Sequence, residues 1–423
     1  MGIAERLVDK LLAGLIRQGT LAVTHASGAR RSFGVPAAGF PEVAIRFTDA
    51  RAARDILLDP RLGVGEAYMD GRLVIERGDV MDLVSLARMN TPWEGKRSLA
   101  PPSLPRRITG RVSTALRSIN RPGSSRRNVA HHYDIGNDLY RMMLDSEHMQ
   151  YSCALWDEAR FGPDMTLAQA QEAKLAHIAA KLNLRPGLTV LDIGCGWGGM
   201  AIFLARRAGA SVHGITLSAE QLALAQERAQ AAGVADRVTF ELVDYRDLAA
   251  RGAVFDRIVS VGMFEHVGVP QFETFFRACA RMMADDGTML LHTIGRMGGP
   301  GRTDAFTDKW IFPGGYIPAL SETLAASETV QLIATDVETL RLHYARTIRA
   351  WYANVMARRA EIEALFDARF FRLWTFYLAG AATSFEQGSL CNYQIQYARQ
   401  RHALPLTRRY MEEAEARLLA GGD

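Results

Sequence analysis

Between Leu188 and Gly199 the chain reads LTVLDIGCGWGG, a short apolar strand running directly into clustered glycines. Gly194, Gly196 and Gly199 stand as G-x-G-x-x-G, which lets the backbone turn tightly and approach a ligand where a side chain would block it. The helix expected next aims its first N–H groups at the same place. A nucleotide-like ligand is expected at this turn. A dinucleotide site carries Asp or Glu at the end of the following strand, roughly twenty residues past the first glycine. Here that position is Thr216, followed by Ser218 and Gln221, which counts against NAD. Asp192, Ile193 and Gly194, with Asp244 and Tyr245 at the end of a third strand, fit S-adenosylmethionine better. Ser218 and Gln221 also make an S-x-x-Q capping box, so a helix start and a ligand contact both stay open for them.

Three further segments carry polar groups in suggestive places: HHYDIGNDLYRMMLDSEHMQYSCALW from His131 to Trp156, VGMFEHVG from Val261, and LLHTIG from Leu290. The elements that must position them alternate. Strands are expected at 188–193, 211–217, 237–244, 255–261 and 287–294, with helices at 198–208, 218–232 and 270–284. Such alternation means a mostly parallel sheet covered on both faces, with ligands at the carboxyl ends of its strands. Glu265 and His292 then stand at strand ends beside the glycine turn. Beyond about residue 300 the pattern changes, and twelve aromatic residues fall between Tyr344 and Tyr397. They suit helix core and also an apolar cavity for a greasy ligand.

Residues 1–95 read as a small α+β domain. Ile3, Leu7, Leu11 and Leu15 recur at helical spacing, followed by strand-like LAVTHA and VAIRF, a turn-rich GVGEAYMDGRL and a helix from Met81 to Met89. No catalytic constellation is found there, and Glu66 and Asp70 read as solvated turn residues. The net charge of +4 conceals an asymmetry. Residues 96–127 hold nine basic residues (Lys96, Arg97, Arg106, Arg107, Arg111, Arg117, Arg121, Arg126, Arg127), no acid, and four prolines. This connector is expected to face a polyanion. Leu104, Ile108, Val112, Leu116 and Ile119 recur within it as in a basic amphipathic helix on an anionic membrane surface, although a linker docked on its own protein would read the same. No helix-turn-helix or zinc-finger pattern accompanies it, so nucleic acid is not the expected partner. Four scattered cysteines suggest a reducing compartment, and no histidine spacing supports a metal. Charges threaded through MGIAERLVDKLLAGLIRQG argue against a secretory signal, and Arg6 spoils a myristoylation pattern. With no apolar run of about 20 residues, no membrane span is expected.

Taken in order, HHYDIGNDLY, MQYSCALW, VLDIGCGWGG, GITLSAEQ, DYRD, VGMFEHVG, LLHTIG and IFPGGYIP resemble the S-adenosylmethionine-dependent cyclopropane-fatty-acid synthases, which include the mycolic-acid cyclopropane synthases. The resemblance covers roughly residues 128–400, and the N-terminal domain more loosely. It implies an α/β class I methyltransferase: a Rossmann-like, mostly parallel seven-stranded sheet with a helical lipid-binding cap. The implied division is 1–95, a linker at 96–127, and a catalytic domain at 128–423.

The resemblance also implies a reaction, methylene transfer from S-adenosylmethionine to a cis-unsaturated acyl chain of membrane phospholipid. The close variant ends in a methyl- or methylene-branched chain. A bound bicarbonate is implied as base, held by groups matching Cys153, Glu265, His292, Ile294 and Tyr344. Cys153 and Ile294 would offer backbone N–H groups, while Glu265 and His292 would orient the anion and receive the proton. Tyr344 would ease a transient cation, with His343 as its neighbour of equal chemical interest. For the cofactor, Tyr151 and Ser152 would stand near the methionine end, with Asp192, Gly194, Cys195 and Gly196 at the turn. Thr216 and Gln221 would approach ribose and adenine, and Asp244 and Tyr245 the adenine. His131 and His132 would orient a lid. A homodimer is expected, held peripherally at the cytoplasmic face of the membrane through 96–127. An inactive lipid-binding module is the competing class, disfavoured by the intact glycines, Glu265 and His292. A nucleic-acid methyltransferase is disfavoured because no Asn/Asp-Pro-Pro-Tyr occurs.

Overall fold

The computed structural model describes residues 1–95 and 136–421, which fall into two compact units. One holds residues 1–95, 303–313 and 348–389; the other holds 136–302, 314–347 and 390–421. The basic segment 96–127 and the pair His131–His132 lie outside the described residues.

In the first unit, strands β1 (Thr20–Thr24), β2 (Arg30–Phe33), β3 (Glu42–Phe47) and β4 (Leu73–Arg77) form a sheet of order β2-β1-β3-β4. Leu21, Val23, Val43, Ile45 and Phe47 alternate onto one buried face. Helices α1 (Ile3–Leu15), α2 (Ala50–Leu58), α3 (Pro60–Met69) and α4 (Val80–Met89) complete the N-terminal part. α3 occupies the stretch expected to be turn-rich. Its glycines argue against a helix, at about 1 kcal/mol each, but close packing requires both, and a Cβ on Gly63 would lie 2.6 Å from Asp55 O. A Cβ on Gly65 would lie 2.6 Å from Phe306 and 2.7 Å from Phe376. Glu66 accepts hydrogen bonds from Lys309 Nζ at 2.6 Å and Trp310 Nε1 at 3.1 Å. Asp70 accepts one from Arg369 Nε at 2.9 Å, so both acids are paired rather than solvated turn residues. The helix Ala368–Glu386, capped by Asp367, packs on α3 and α4. Trp351, Phe371, Trp374 and Phe385 are buried in this unit, so much of the aromatic stretch is core.

The second unit is built on seven strands: β5 (Thr189–Ile193), β6 (Ser211–Thr216), β7 (Val238–Leu242), β8 (Phe255–Val261), β9 (Met283–Arg296), β10 (Ile333–Leu340) and β11 (Leu390–Ala398). Their order is β10-β11-β9-β8-β5-β6-β7, and only β11 runs antiparallel to its neighbours. Helices α5 (Asn137–Met143), α6 (Leu167–Lys181), α7 (Gly199–Ala208), α8 (Ala219–Ala231) and α9 (Phe272–Met282) accompany it. The mostly parallel seven-stranded sheet is the one expected. Consecutive residues enter opposite cores: Val190, Val259 and Leu290 pack with α6 and α7, while Leu191, Ile258 and Leu291 pack with α9. Each such buried side chain contributes on the order of 2 kcal/mol. Neither β10 nor β11 was expected as a strand. Tyr393 and Tyr397 therefore belong to the sheet and not to a helical stretch. Among the described residues, no helix is long and apolar enough to cross a membrane.

Candidate active site

The glycine turn leaves β5 at Ile193. Gly194 and Cys195 both donate N–H to Ile215 O, at 2.9 and 3.0 Å, which ties the turn to β6. Gly196 has φ of +53° and open space where a Cβ would be, as a ligand-facing turn needs. Gly199, at the start of α7, has the opposite constraint. A Cβ there would lie 2.1 Å from His148 O and 2.5 Å from Gln150 Nε2. The segment 145–153 therefore lies across the start of α7, on the anion-favouring end of its dipole.

That segment is strapped down from beneath by α6. Asp145 accepts the N–H of His148 at 2.5 Å and of Gln150 at 3.3 Å. Gln171 donates to Gln150 O at 3.3 Å and to Ser152 O at 3.0 Å. Lys174, fully buried, donates to Gln150 Oε1 at 2.5 Å and Ser152 Oγ at 3.0 Å. Burial pushes its ammonium down to about 7, against the pull of Asp145, Cys153 and Asp192. Asp192, at the end of β5, is pushed up to about 7 by burial, and its Oδ2 has no hydrogen-bond partner among the described residues. Tyr151 meets Tyr140 edge-on at 5.2 Å, and Tyr140 lies 4.8 Å from Trp197 of the glycine turn. Tyr151, Ser152, Asp192 and the turn are thus gathered, with Lys174 and Gln171 beneath them. Sequence reading passed over Lys174 because a lysine on a helix is ordinarily solvated.

At the end of β6, Thr216 Oγ1 donates to Gln221 Oε1 at 2.8 Å, and Ser218 Oγ accepts the Gln221 N–H at 3.3 Å. Only half of the capping box forms, because the Gln221 side chain turns to Thr216. Asp244 caps the short helix Tyr245–Ala250 and grips Arg246 with both oxygens, at 2.8 and 2.6 Å. The Tyr245 ring packs edge-on against Phe275 at 5.4 Å in the apolar core.

The second cluster begins where β8 stops. A Cβ on Gly194 would lie 2.9 Å from Met263, so the glycine turn abuts this loop. Glu265 follows in the turn Phe264–His266 and accepts the Ile294 N–H at 2.6 Å. Burial pushes its carboxyl up to about 7, and Oε2 has no partner among the described residues. His292 pairs across the sheet with Val261, the last residue of β8, and lies inside β9, which continues to Arg296 along β11. Burial, then Lys174, pushes its imidazole down to about 3. Asn392 and Gln394 on β11 face its two ring nitrogens, and neither was singled out from sequence. The structure thus joins Glu265 directly to Ile294 and sets His292 two residues away on the same strand.

Cys153 and Tyr344 belong to an adjoining group. The Cys153 thiol is fully buried, and burial pushes it up, so it stays protonated. Next to it, Ala154 donates its N–H to Thr347 Oγ1 at 3.1 Å. His343 Nδ1 accepts the Trp156 N–H at 3.0 Å, which makes His343 a tether; Tyr344 follows it, buried, on the helix His343–Ala357. A buried carboxyl with a proton affinity near neutrality, a neutral imidazole and an adjacent nucleotide-type turn together can hold a small polar group and receive a proton away from water.

Residues 121–395 match the family described as mycolic acid cyclopropane synthetase, and residues 8–92 match a domain of unknown function. A probable fatty acid methyltransferase of Pseudomonas putida is 42% identical over 67% of this chain and 73% of its own. The cyclopropane-fatty-acyl-phospholipid synthase of Escherichia coli is 38% identical over 86% of this chain and 90% of its own. Among solved structures, mycolic acid cyclopropane synthase CmaA1 complexed with SAH and CTAB superposes with a TM-score of 0.59 at 32% identity, over 64% of this chain and 98% of that one.

Proposed function

The chain belongs to the mycolic acid cyclopropane synthetase family and is an S-adenosylmethionine-dependent methyltransferase, and on that premise we propose that it builds cyclopropane rings on unsaturated acyl chains of membrane phospholipid. The observation that carries this reading is the buried Glu265, with Oε2 unpartnered among the described residues, beside His292 and next to the glycine turn. The chemistry needs such a group. A methyl passes from the sulfonium to one carbon of a cis double bond; the C–S bond breaks, a C–C bond forms, and the other carbon becomes a cation. Loss of a proton from the new methyl group closes the ring. That proton must leave through an acceptor in a site from which water is excluded, because water would capture the cation.

The residues fit a small oxyacid at this position. Glu265 Oε2 and Gln394 Oε1 are buried acceptors without partners among the described residues, able to take a hydroxyl proton. The Cys153 N–H and the Tyr344 hydroxyl are the donors we assign to its oxygens; the Ile294 N–H, expected from sequence to be a third, is taken by Glu265 Oε1 and so holds the carboxylate instead. When bound, bicarbonate supplies the base for the ring-closing proton. Glu265 orients it. Lys174 holds Ser152 and Gln150 in place at the methionine end of the cofactor. The nine cations between Lys96 and Arg127 would draw the enzyme to anionic headgroups, and a homodimer would present two such segments.

A second reading is favoured by the Pseudomonas putida relative, whose name is that of a fatty acid methyltransferase. The same cation would then give a methyl- or methylene-branched chain. Mass spectrometry and proton NMR of bacterial phospholipids after expression, beside Glu265→Gln, separate the two. A gain of about 14 mass units with upfield cyclopropane protons, lost in the variant, is the expected result. The same gain without those protons, or a gain of about 16, gives the branched product. No gain overturns both readings for phospholipid.

A further inference from the structure

Both ring nitrogens of His292 face carboxamides from one neighbouring strand. β11 runs antiparallel to β9 and sets Gln394 opposite His292 and Asn392 opposite Ile294. Gln394 Nε2 lies 3.2 Å from His292 Nδ1, and Asn392 Nδ2 lies 3.5 Å from His292 Nε2. All three side chains are buried, with residue exposures of 1% or less. We infer that Gln394 and Asn392 are positioning residues that clamp His292 as a neutral imidazole with its proton on Nε2, so that it lines the site without accepting the proton. The part the ring plays in the reaction rests on the proposed function; the clamp itself does not.

A neutral imidazole presents one N–H and one lone pair, and a carboxamide answers either by turning its NH₂ or its oxygen inward. The shorter contact is the Gln394 N–H to Nδ1, which makes Nδ1 the acceptor and leaves the proton on Nε2. Asn392, placed with Nδ2 at 3.5 Å from Nε2, meets that proton with its carboxamide turned to present Oδ1. An imidazolium would need both amides to present oxygen. The charges around it oppose that state. Lys174, His177 and Lys181, all on α6, act against a positive ring, and Glu338 on β10 is the anion that favours one. Glu265, from the turn after β8, spends Oε1 on the Ile294 N–H. The clamp therefore leaves Glu265 and the ligand it holds as the acceptors in the cluster.

The test is ¹⁵N NMR of the full chain labelled at histidine, without lipid, with the His292 pair assigned by its loss in His292→Gln. A neutral pattern protonated at Nε2 at neutral pH, persisting to about pH 5, is the expected result. An imidazolium, an Nδ1–H pattern or a tautomer mixture overturns the clamp. Gln394→Met should give a tautomer mixture and lower turnover about tenfold or more while S-adenosylhomocysteine binding holds within about twofold. An unchanged ring signal in that variant overturns the assignment. Gln394→Glu should charge the ring near neutrality by placing an anion on Nδ1, with turnover rising as pH rises. A ring still neutral in Gln394→Glu overturns it too. Failure of the wild type to form the ring would count against the proposed function and leave the protonation state read by NMR unaffected.

Discussion

Replacing Glu265 by Gln should destroy activity and raise the stability of the ligand-free protein relative to wild type increasingly with pH, by an amount that can be calculated. The carboxyl is buried, and its proton affinity rises from 4.5 to about 7, burial outweighing the Ile294 N–H. Between those values the folded chain keeps a proton that the unfolded chain has released, so stability falls as pH rises through the window and levels above it. The full loss is about 3 kcal/mol. Of that, about 2 kcal/mol falls between about pH 5.5 and about pH 8.5. Glutamine keeps the oxygen that accepts the Ile294 N–H and cannot ionise, so the variant escapes the loss. Its buried NH₂ adds a cost independent of pH, which cancels when the two pH values are compared. Urea unfolding of both proteins at both pH values should show the variant gaining about 2 kcal/mol on the wild type between acid and alkaline conditions. A difference that stays flat or shrinks with pH refutes the burial of a charged Glu265. Stability given up for a reactive group is what an active site is expected to show.

Lys174→Met removes two hydrogen bonds from a buried ammonium, each about 1.5 kcal/mol or more. Calorimetry should show S-adenosylhomocysteine affinity falling about tenfold or more, and an unchanged affinity would remove Lys174 from the site's support. Gly199→Ala must push a Cβ against His148 O at 2.1 Å and should lower the melting temperature several degrees more than Gly196→Ala, whose Cβ meets open space. Equal losses would mean that the 145–153 segment does not lie on α7. Replacing the nine cations of 96–127 by glutamine should abolish co-sedimentation with phosphatidylglycerol vesicles, since each is worth about 1 kcal/mol at an anionic surface. Undiminished binding would place the membrane contact elsewhere.

Five of the seven strands in the large sheet are legible in sequence, the central ones because a parallel strand buried on both faces must be an apolar run. β7, at the other edge, buries only Val238 and shows through its β-branched and aromatic residues. The glycine turn, Glu265 and His292 are legible for a related reason: polar residues at the ends of such runs have few other uses. β11 hides because Asn392, Gln394 and Gln396 interrupt its apolar pattern, though all three are buried. β10 hides because it is the sheet's edge, with Thr335, Val337 and Thr339 exposed. α3 hides behind two glycines: Gly65 makes room for a pair of phenylalanine rings more than 200 residues along the chain, and Gly63 for the backbone at Asp55.

What the sequence determined by itself was the set of chemical parts and the strand ends that carry them: the turn from Gly194 to Gly199, the carboxyl of Glu265 and the imidazole of His292. Periodicity is a local property, so it survives without knowledge of the fold. What only the tertiary structure decided was the condition of those parts. The neutrality of His292 comes first from burial, which β11 completes by arriving antiparallel between β9 and β10, and then from cations on α6. The burial of Lys174 comes from α6 being covered by the strap it holds. Proton affinity depends on every charge and every layer of solvent removed around a group, and those are supplied by residues far away in the chain.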